Sequence, residues 1–362
     1  MKIAVVTNMP APYRLPIYEI MKKRMGDDFL VMYAIEREPN RSWNLGELKF
    51  NHLFLKENYK AKKDGFNFVH NNLDVFKELK SYSPDVIITT GYNPTFIYAW
   101  LFAKLSRKKH ILFTDGWLGS EKGLSFIHKG IRSMIVRTSH AFLGVGKNGT
   151  KLYTHYGAKK EQLFQSELCV DNSRFANELA FENRPYDLMF SGQFTDRKDP
   201  LLFADIAIEV SKSIPNLRLL ILGEGPLKEK FMQKLNDAGI EYDYPGYATQ
   251  EDLPSYYASS KLFLFPTKLD AWGVVVNEAM ASGTPVLSTP YAGVVDDLVI
   301  DGESGYNLEL DVDLWSAKAK EILGDKVLWK NLSEGAINRV QDFNFDDAAQ
   351  GIIDAATFTL KK

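Results

Sequence analysis

Residues 266–289 read PTKLDAWGVVVNEAMASGTPVLST and hold two carboxylates, Asp270 and Glu278, eight positions apart. Between them stand Trp272, Gly273 and a run of valines that begins at Val274; Gly283 follows, then a short apolar run. The pattern predicts a helix over 273–282, closed by Gly283, with Asp270 just outside its start and Glu278 on its first turns. The unpaired N–H groups of such a start, at Gly273 and Val274, make an anion site that needs no side chain, and glycine lets a ligand approach the backbone. Eight helical residues span about 12 Å. A nucleotide-diphospho-sugar has hydroxyl-bearing rings on both sides of its diphosphate at a comparable separation. One carboxylate can accept hydrogen bonds from sugar hydroxyls and the other from the two ribose hydroxyls, with the diphosphate between them on the helix start. Each such charge-assisted bond is worth roughly 1.5–3 kcal/mol. Carboxylates repel bare phosphate, so they must flank the anion rather than hold it.

The stretch 256–309, YYASSKLFLFPTKLDAWGVVVNEAMASGTPVLSTPYAGVVDDLVIDGESGYNLE, resembles the E-x7-E region of family 4 glycosyltransferases, and a coarser likeness covers nearly the whole chain. The resemblance implies an α/β protein of the GT-B fold: two facing Rossmann-like domains with parallel sheets and an interdomain cleft. It implies that Asp270, one methylene shorter than the family's Glu, contacts the donor sugar and that Glu278 takes the ribose. The diphosphate that leaves needs its charge stabilised. FSGQFTDRKDP (190–200) resembles the family's G-R-x-x-x-x-K grip on that group; Gly192 and Lys198 match, Gln193 replaces the Arg, and Arg197 is a substitute cation. The glycine turn LGEGP (222–226) places Gly223 and Glu224 beside the base or ribose by the same resemblance, and GYATQEDLPSYYASS (246–260) places the backbone around Tyr247 and Leu253 at the base.

Nearer the N-terminus, NMPAPYRLP (8–16) stands where the family often has a Gly-Gly loop against the donor phosphates. Its prolines fix an extended loop, so Tyr13 and Arg14 are expected to reach the donor by side chain. FTDGWLGSE (113–121) ends a strand with Asp115, where many members carry a His; it would orient the donor sugar or receive the acceptor's hydroxyl proton. Asp115, Lys198 and Asp270 are therefore the candidate catalytic residues. The family retains anomeric configuration, which implies a front-face displacement in which the departing phosphate helps take the acceptor proton, with no dedicated nucleophile.

These residues must be positioned by strands and helices, and the periodicity supplies both. Apolar strand-like runs at 2–7, 29–35, 50–55, 85–91, 110–115 and 140–146 alternate with helical patterns at 14–25, 71–82 and 95–108. A second series has strands at 186–192, 217–225, 261–267 and 284–289, with helices at 200–214, 225–239 and 273–282. Alternation of this kind means parallel sheets with crossover helices, whose ligands bind at the C-terminal strand ends. Joined through 167–185, the two series predict an N-terminal acceptor-side domain at 1–167 and a nucleotide-sugar-binding domain at 168–341. A C-terminal helix, 342–362, is expected to pack back on the first domain.

The 362 residues, 45% hydrophobic and 25% charged, suit two globular domains. No apolar run reaches the roughly 18–20 residues of a spanning helix, and the first residues lack the pattern of a signal peptide. The single cysteine, Cys169, excludes an intramolecular disulfide and fits a reducing cytoplasm. No Cys, His and carboxylate spacing suggests a metal, so the expected chemistry is metal-independent and the only small molecule is the donor, a UDP-sugar by preference over a GDP-sugar. The net charge of −2 divides unevenly: residues 1–165 carry 26 Lys/Arg against 14 Asp/Glu, a balance of +12, and the remainder balances at −14. The basic half, with the aromatic, apolar and basic stretches 96–110 and 126–137, suggests an anionic partner: a lipid-linked saccharide acceptor and the inner face of an anionic membrane, met peripherally. No nucleic-acid motif accompanies the charge. The reading is thus a retaining glycosyltransferase of cell-surface polysaccharide assembly. Its rivals are another GT-B enzyme, an epimerase or a phosphorylase, and a non-catalytic nucleotide-sugar-binding subunit.

Overall fold

A computed structural model describes residues 1–39, 43, 45–61, 68–177 and 179–361. The chain divides into two compact units, one formed by residues 1–168 with the segment from Phe345 onward, the other by residues 169–344. Each unit is built on a parallel sheet.

In chain order the first unit has β1 (Ile3–Thr7), α1 (Leu15–Met25), β2 (Phe29–Tyr33), β3 (His52–Phe54), β4 (Tyr59–Ala61), β5 (Phe68–His70), α2 (Val75–Tyr82) and β6 (Val86–Thr89). It continues with α3 (Pro94–Leu105), β7 (Lys109–Thr114), α4 (Phe126–Thr138), β8 (Ala141–Gly144), α5 (Gly146–His155) and β9 (Leu163–Gln165). The main sheet runs β3-β2-β1-β6-β7-β8-β9 with every pair parallel; β4 and β5 form a separate antiparallel ribbon. Strands such as FLVMY and VIIT are apolar at nearly every position because helices cover both faces, and β2, β6 and β8 are buried throughout.

The second unit has α6 (Asn172–Phe175), β10 (Tyr186–Ser191), α7 (Pro200–Ser211), β11 (Arg218–Leu222), α8 (Lys228–Asp237), β12 (Glu241–Gly246) and α9 (Leu253–Ala258). Then come β13 (Ser260–Leu264), α10 (Val274–Ala281), β14 (Val286–Ser288), β15 (Gly305–Asn307), α11 (Val312–Gly324) and α12 (Lys326–Val340). Its sheet runs β12-β11-β10-β13-β14-β15, again all parallel. Strand order reverses on either side of β10, where Met189 pairs with Leu220 of β11 and with Phe263 of β13. A doubly wound sheet opens a crevice at such a point, above the C-terminal strand ends. Beneath β10, Phe190, Phe194, Phe203 and Phe231 pack edge-on or tilted, with ring centroids 5.3–6.0 Å apart. Burying each ring stabilises the unit by about 1.5–3 kcal/mol. The last helix, α13 (Phe345–Leu360), packs on α1, β8 and β9 of the first unit.

The predicted strands and helices appear with ends trimmed by two or three residues at most places. Five strands went unread: β4 and β5, the short antiparallel ribbon, and β9, β12 and β15. β9 and β15 have three residues each, and β12, an edge strand reading EYDYPG, alternates exposed and half-buried residues. The helix expected from Gly225 begins at Lys228, because Gly225 stands at φ +157°, outside helical space.

Candidate functional site

The C-terminal ends of β10, β11 and β13 carry the second unit's chemistry. After β10 the chain turns at Gly192, and after β11 it turns through Gly223 and Gly225. The two turns are zipped together: Gly192 N donates to Leu222 O at 3.0 Å, Phe194 N to Glu224 O at 2.9 Å and Leu227 N to Phe194 O at 3.0 Å. Gly223 lies at φ +130°, and a Cβ there would stand 1.9 Å from Gly192 O. The glycine turn therefore has a packing reason independent of any ligand.

On the other side of β10, Asp270 gathers two cations. Lys198 Nζ and Arg197 Nη1 both reach Asp270 Oδ2, the latter at 3.0 Å, and Arg197 Nη1 also donates to Leu269 O at 2.9 Å. The backbone holds the acid in place: Asp270 N donates to Tyr291 O at 3.0 Å, and Asp270 O accepts from Gly293 N at 3.1 Å. Burial pushes its carboxyl upward, but Lys198 and then Arg197 outweigh that and leave it below the usual carboxylate value. The Lys198 ammonium lies 4.6 Å from the centroid of Phe265, the residue that follows β13. A Cβ on Gly273 would stand 2.8 Å from the same ring, and Gly273 has φ +110°. Glycine is therefore required where the chain passes Phe265 into α10. Gly273 is the N-cap of α10 and provides no side-chain cap, and the first turn bears no acidic residue. The positive end of the helix thus opens beside a site holding two cations against one anion.

Glu278 is buried on α10, 8% exposed. Its carboxyl is raised from 4.5 to about 7, chiefly by burial, against the opposing effects of a hydrogen bond from Tyr257 and the charge of Arg174. Tyr257, on α9, is fully buried, and its hydroxyl is also 3.0 Å from Ser191 Oγ at the end of β10. Phe265, Tyr257, Ser191 and Arg174 were all missed as site residues. The only signal for Tyr257 was a buried-strand approach, YYASSKLFLF, that carried a polar hydroxyl into apolar surroundings.

The remaining candidates are distributed around these. Glu224 accepts from Tyr244 Oη at 2.5 Å and pairs with Lys228 at 2.9 Å, both of which hold its carboxyl below the usual value. Tyr247 is 53% exposed on the turn after β12. Leu253 is buried at the start of α9, and its N–H donates to Thr249 O at 3.2 Å, so that amide is already engaged. Gln193 lies between Gly192 and Phe194, where its carbonyl accepts from Thr195 N at 2.9 Å.

Tyr13, Arg14 and Asp115 meet in the first unit, in a pocket of about 170 Å³ above the ends of β1, β6 and β7, with Asn8, Trp43 and Thr90 also in its wall. Arg14 stacks 4.1 Å from the Phe113 ring centroid and donates to Ser166 O at 3.5 Å and Glu167 O at 3.4 Å. Tyr13 meets Trp43 edge-on at 6.4 Å. Aromatic edges among hydroxyls, an amide and a carboxylate form a surface suited to a sugar ring.

Residues 171–339 match the family described as glycosyl transferases group 1. The chain is 23% identical over 332 residues, 90% of its length and 85% of the relative's, to the GalNAc-alpha-(1->4)-GalNAc-alpha-(1->3)-diNAcBac-PP-undecaprenol alpha-1,4-N-acetyl-D-galactosaminyltransferase of Campylobacter jejuni. It is 26% identical over 148 residues, 41% of its length and 42% of the relative's, to the lipopolysaccharide core biosynthesis glycosyltransferase LpsE of Rhizobium meliloti. Among solved structures it resembles Anabaena Alr3699/HepE in complex with UDP, with a TM-score of 0.78 at 14% identity over 99% of this chain and all of that one.

Proposed function

We propose, from the premise that the chain belongs to the family 4-like glycosyltransferases of GT-B fold, that it moves a sugar with retention from a UDP-sugar to a lipid-linked saccharide. The observation that carries this reading is the cluster at α10: Lys198 and Arg197 gathered on Asp270, the uncapped helix start at Gly273, and Glu278 buried on the same helix. In the proposed mechanism the donor diphosphate settles at Gly273 and Val274 and draws Lys198 and Arg197 from Asp270. Two cations and the helix end then meet the charge that develops on the leaving group. Asp270, released, accepts hydrogen bonds from the transferring sugar, while Glu278 takes the ribose hydroxyls. Asp115 and Arg14 line the first unit's own pocket, where Asp115 receives the acceptor's hydroxyl proton.

Support for a lipid-linked acceptor comes from the undecaprenol-linked substrate in the name of the Campylobacter relative. Among the described residues no helix is long and apolar enough to cross a membrane. The start of α4 instead exposes Phe126 (83%) and Ile127 (58%) beside exposed Lys122 and Lys129, a surface suited to peripheral contact with an anionic bilayer. We place the enzyme at the cytoplasmic face of a membrane, in cell-surface polysaccharide assembly. No metal is assigned a role in this scheme.

Thermal unfolding with UDP, GDP and their sugars tests the donor assignment. At about 100 times its dissociation constant a nucleotide stabilises the native state by about 2.7 kcal/mol. UDP is expected to raise the melting temperature by several degrees, and UDP-sugar turnover with a lipid-linked saccharide should follow. No shift with any uridine or guanosine nucleotide overturns the reading.

A further inference from the structure

Glu38, beyond the end of β2, is 9% exposed and stands in the wall of the first unit's pocket together with Asp115 and Asn8. A buried carboxylate is costly unless donors meet it. One donor is built into the fold: His70 Nε2 lies 2.9 Å from Glu38 Oε1. A carboxylate only accepts, so the imidazole carries a proton on Nε2 and donates it. His70 is fully buried on β5, where the antiparallel ribbon fixes it opposite Tyr59, whose ring lies 6.4 Å from the imidazole. Its Nδ1 is buried and has no hydrogen-bond partner among the described residues, so the polar contact of this ring is the one to Glu38. The ribbon, which stands outside the main sheet, thereby sets the position of a pocket carboxylate. A carboxylate has about four acceptor sites, and His70 fills one of them. Asn8 Oδ1, in the same wall, is also buried without a partner among the described residues. The wall therefore offers acceptors in want of donors, beside the aromatic edge that Tyr13 and Trp43 form. A ligand that answers it brings hydroxyl donors and an apolar ring face, as a sugar does.

We propose that Glu38 is a specificity residue for the acceptor, accepting a hydrogen bond from a hydroxyl of its terminal sugar that does not react, and that His70 is the positioning residue for Glu38. This rests on the reading that the first unit's pocket holds the acceptor. Asp115 and Glu38 then divide the sugar between them: Asp115 receives the proton of the attacking hydroxyl, and Glu38 holds another hydroxyl so that the ring presents the correct one. The charge of Arg14 in the same wall opposes a cation, so the carboxylates are matched by neutral hydroxyl donors.

Steady-state kinetics of the full chain test this, with a UDP-sugar and a panel of undecaprenyl-diphosphate-linked saccharides that includes monodeoxy forms of the terminal sugar. Glu38→Gln keeps the shape and should raise acceptor KM about tenfold, with donor KM and UDP affinity changed less than about twofold. Removing the hydroxyl that meets Glu38 should raise acceptor KM about tenfold for the wild type and less than about twofold for Glu38→Gln, a coupling that a merely structural role does not produce. His70→Phe keeps a ring without the donor and should raise acceptor KM severalfold; His70→Gln, which offers an amide N–H, should recover part of the loss. Wild-type acceptor KM in His70→Phe removes the positioning role. A lower melting temperature with unchanged acceptor KM in Glu38→Gln, or no loss with any monodeoxy acceptor in the wild type, overturns the role of Glu38; the pocket still stands if Asp115→Asn lowers kcat. Wild-type kinetics in both Glu38→Gln and Asp115→Asn, or no turnover of any panel member by the wild type, overturns the acceptor reading of the pocket, and the role of Glu38 with it.

Discussion

Glu278 is a carboxyl held against its own solvation, and that conflict has a measurable cost. Its pKa is raised from 4.5 to about 7, so the native state retains a proton between those values while the unfolded chain releases it. The unfolded state binds fewer protons in that window, so this group's contribution to stability falls as pH rises from about 4.5 to about 7 and stays low above it. Glu278→Gln removes the charge and keeps the shape. At pH 8 it is expected to be more stable than the wild type, on the order of 2–3 kcal/mol, and at pH 4.5 nearly equal. Chemical denaturation at the two pH values measures the difference. The same variant should lose UDP binding, since Gln offers a neutral acceptor and an added donor to the ribose. A variant less stable at pH 8 would show that Glu278 is satisfied in the native state rather than strained. Asp270 is the opposite case: two cations depress its pKa, so its contribution is present above the unfolded value and fades as acid reaches the lower native one.

At the scale of elements, the turns after β10 and β11 act as one part. Their three cross-bonds and the close approach at Gly223 fix where the Gly192 loop points, and with it Lys198, whose stem lies 3.9 Å from the Cβ position of Gly192. Gly223→Ala places a methyl 1.9 Å from Gly192 O and forces alanine to φ +130°. Strain and overpacking together should cost about 3 kcal/mol or more, with UDP affinity falling because the cation loop is displaced. Melting temperature and calorimetry read the two effects; unchanged values for both would mean the loops move apart freely. Arg184 shows how a buried cation is held in this unit by neutral acceptors. Its guanidinium donates to Leu179 O, Ser260 O, Thr284 Oγ1 and Ser282 O at 2.8–3.0 Å, tying the segment before β10 to the ends of α9 and α10.

For the molecule as a whole, the +12 balance of residues 1–165 and the exposed apolar start of α4 belong to the same unit. If this surface meets an anionic bilayer, Phe126→Glu with Ile127→Glu should lower cosedimentation with phosphatidylglycerol vesicles severalfold and leave the melting temperature unchanged, since both side chains are exposed. Equal sedimentation of variant and wild type removes the membrane role. Raising the salt concentration should weaken the wild-type interaction as the basic residues are screened.

The sequence by itself determined the α/β alternation, because strands buried on both faces must be apolar throughout and crossover helices must follow them. It also determined the pair Asp270 and Glu278 and the glycine before α10, because spacing and φ requirements are local. The short strand β15 and the edge strand β12 carried too few apolar residues to be read. Tertiary structure alone decided that Lys198 and Arg197 share one oxygen of Asp270 and that Glu224 is already engaged by Tyr244 and Lys228. It alone placed the Tyr257 hydroxyl 3.0 Å from Ser191 Oγ. Apart from Glu224–Lys228, a local pair four positions apart, these contacts join residues 20 to 73 positions apart, and a parallel sheet assembles them only when its order reverses beside β10.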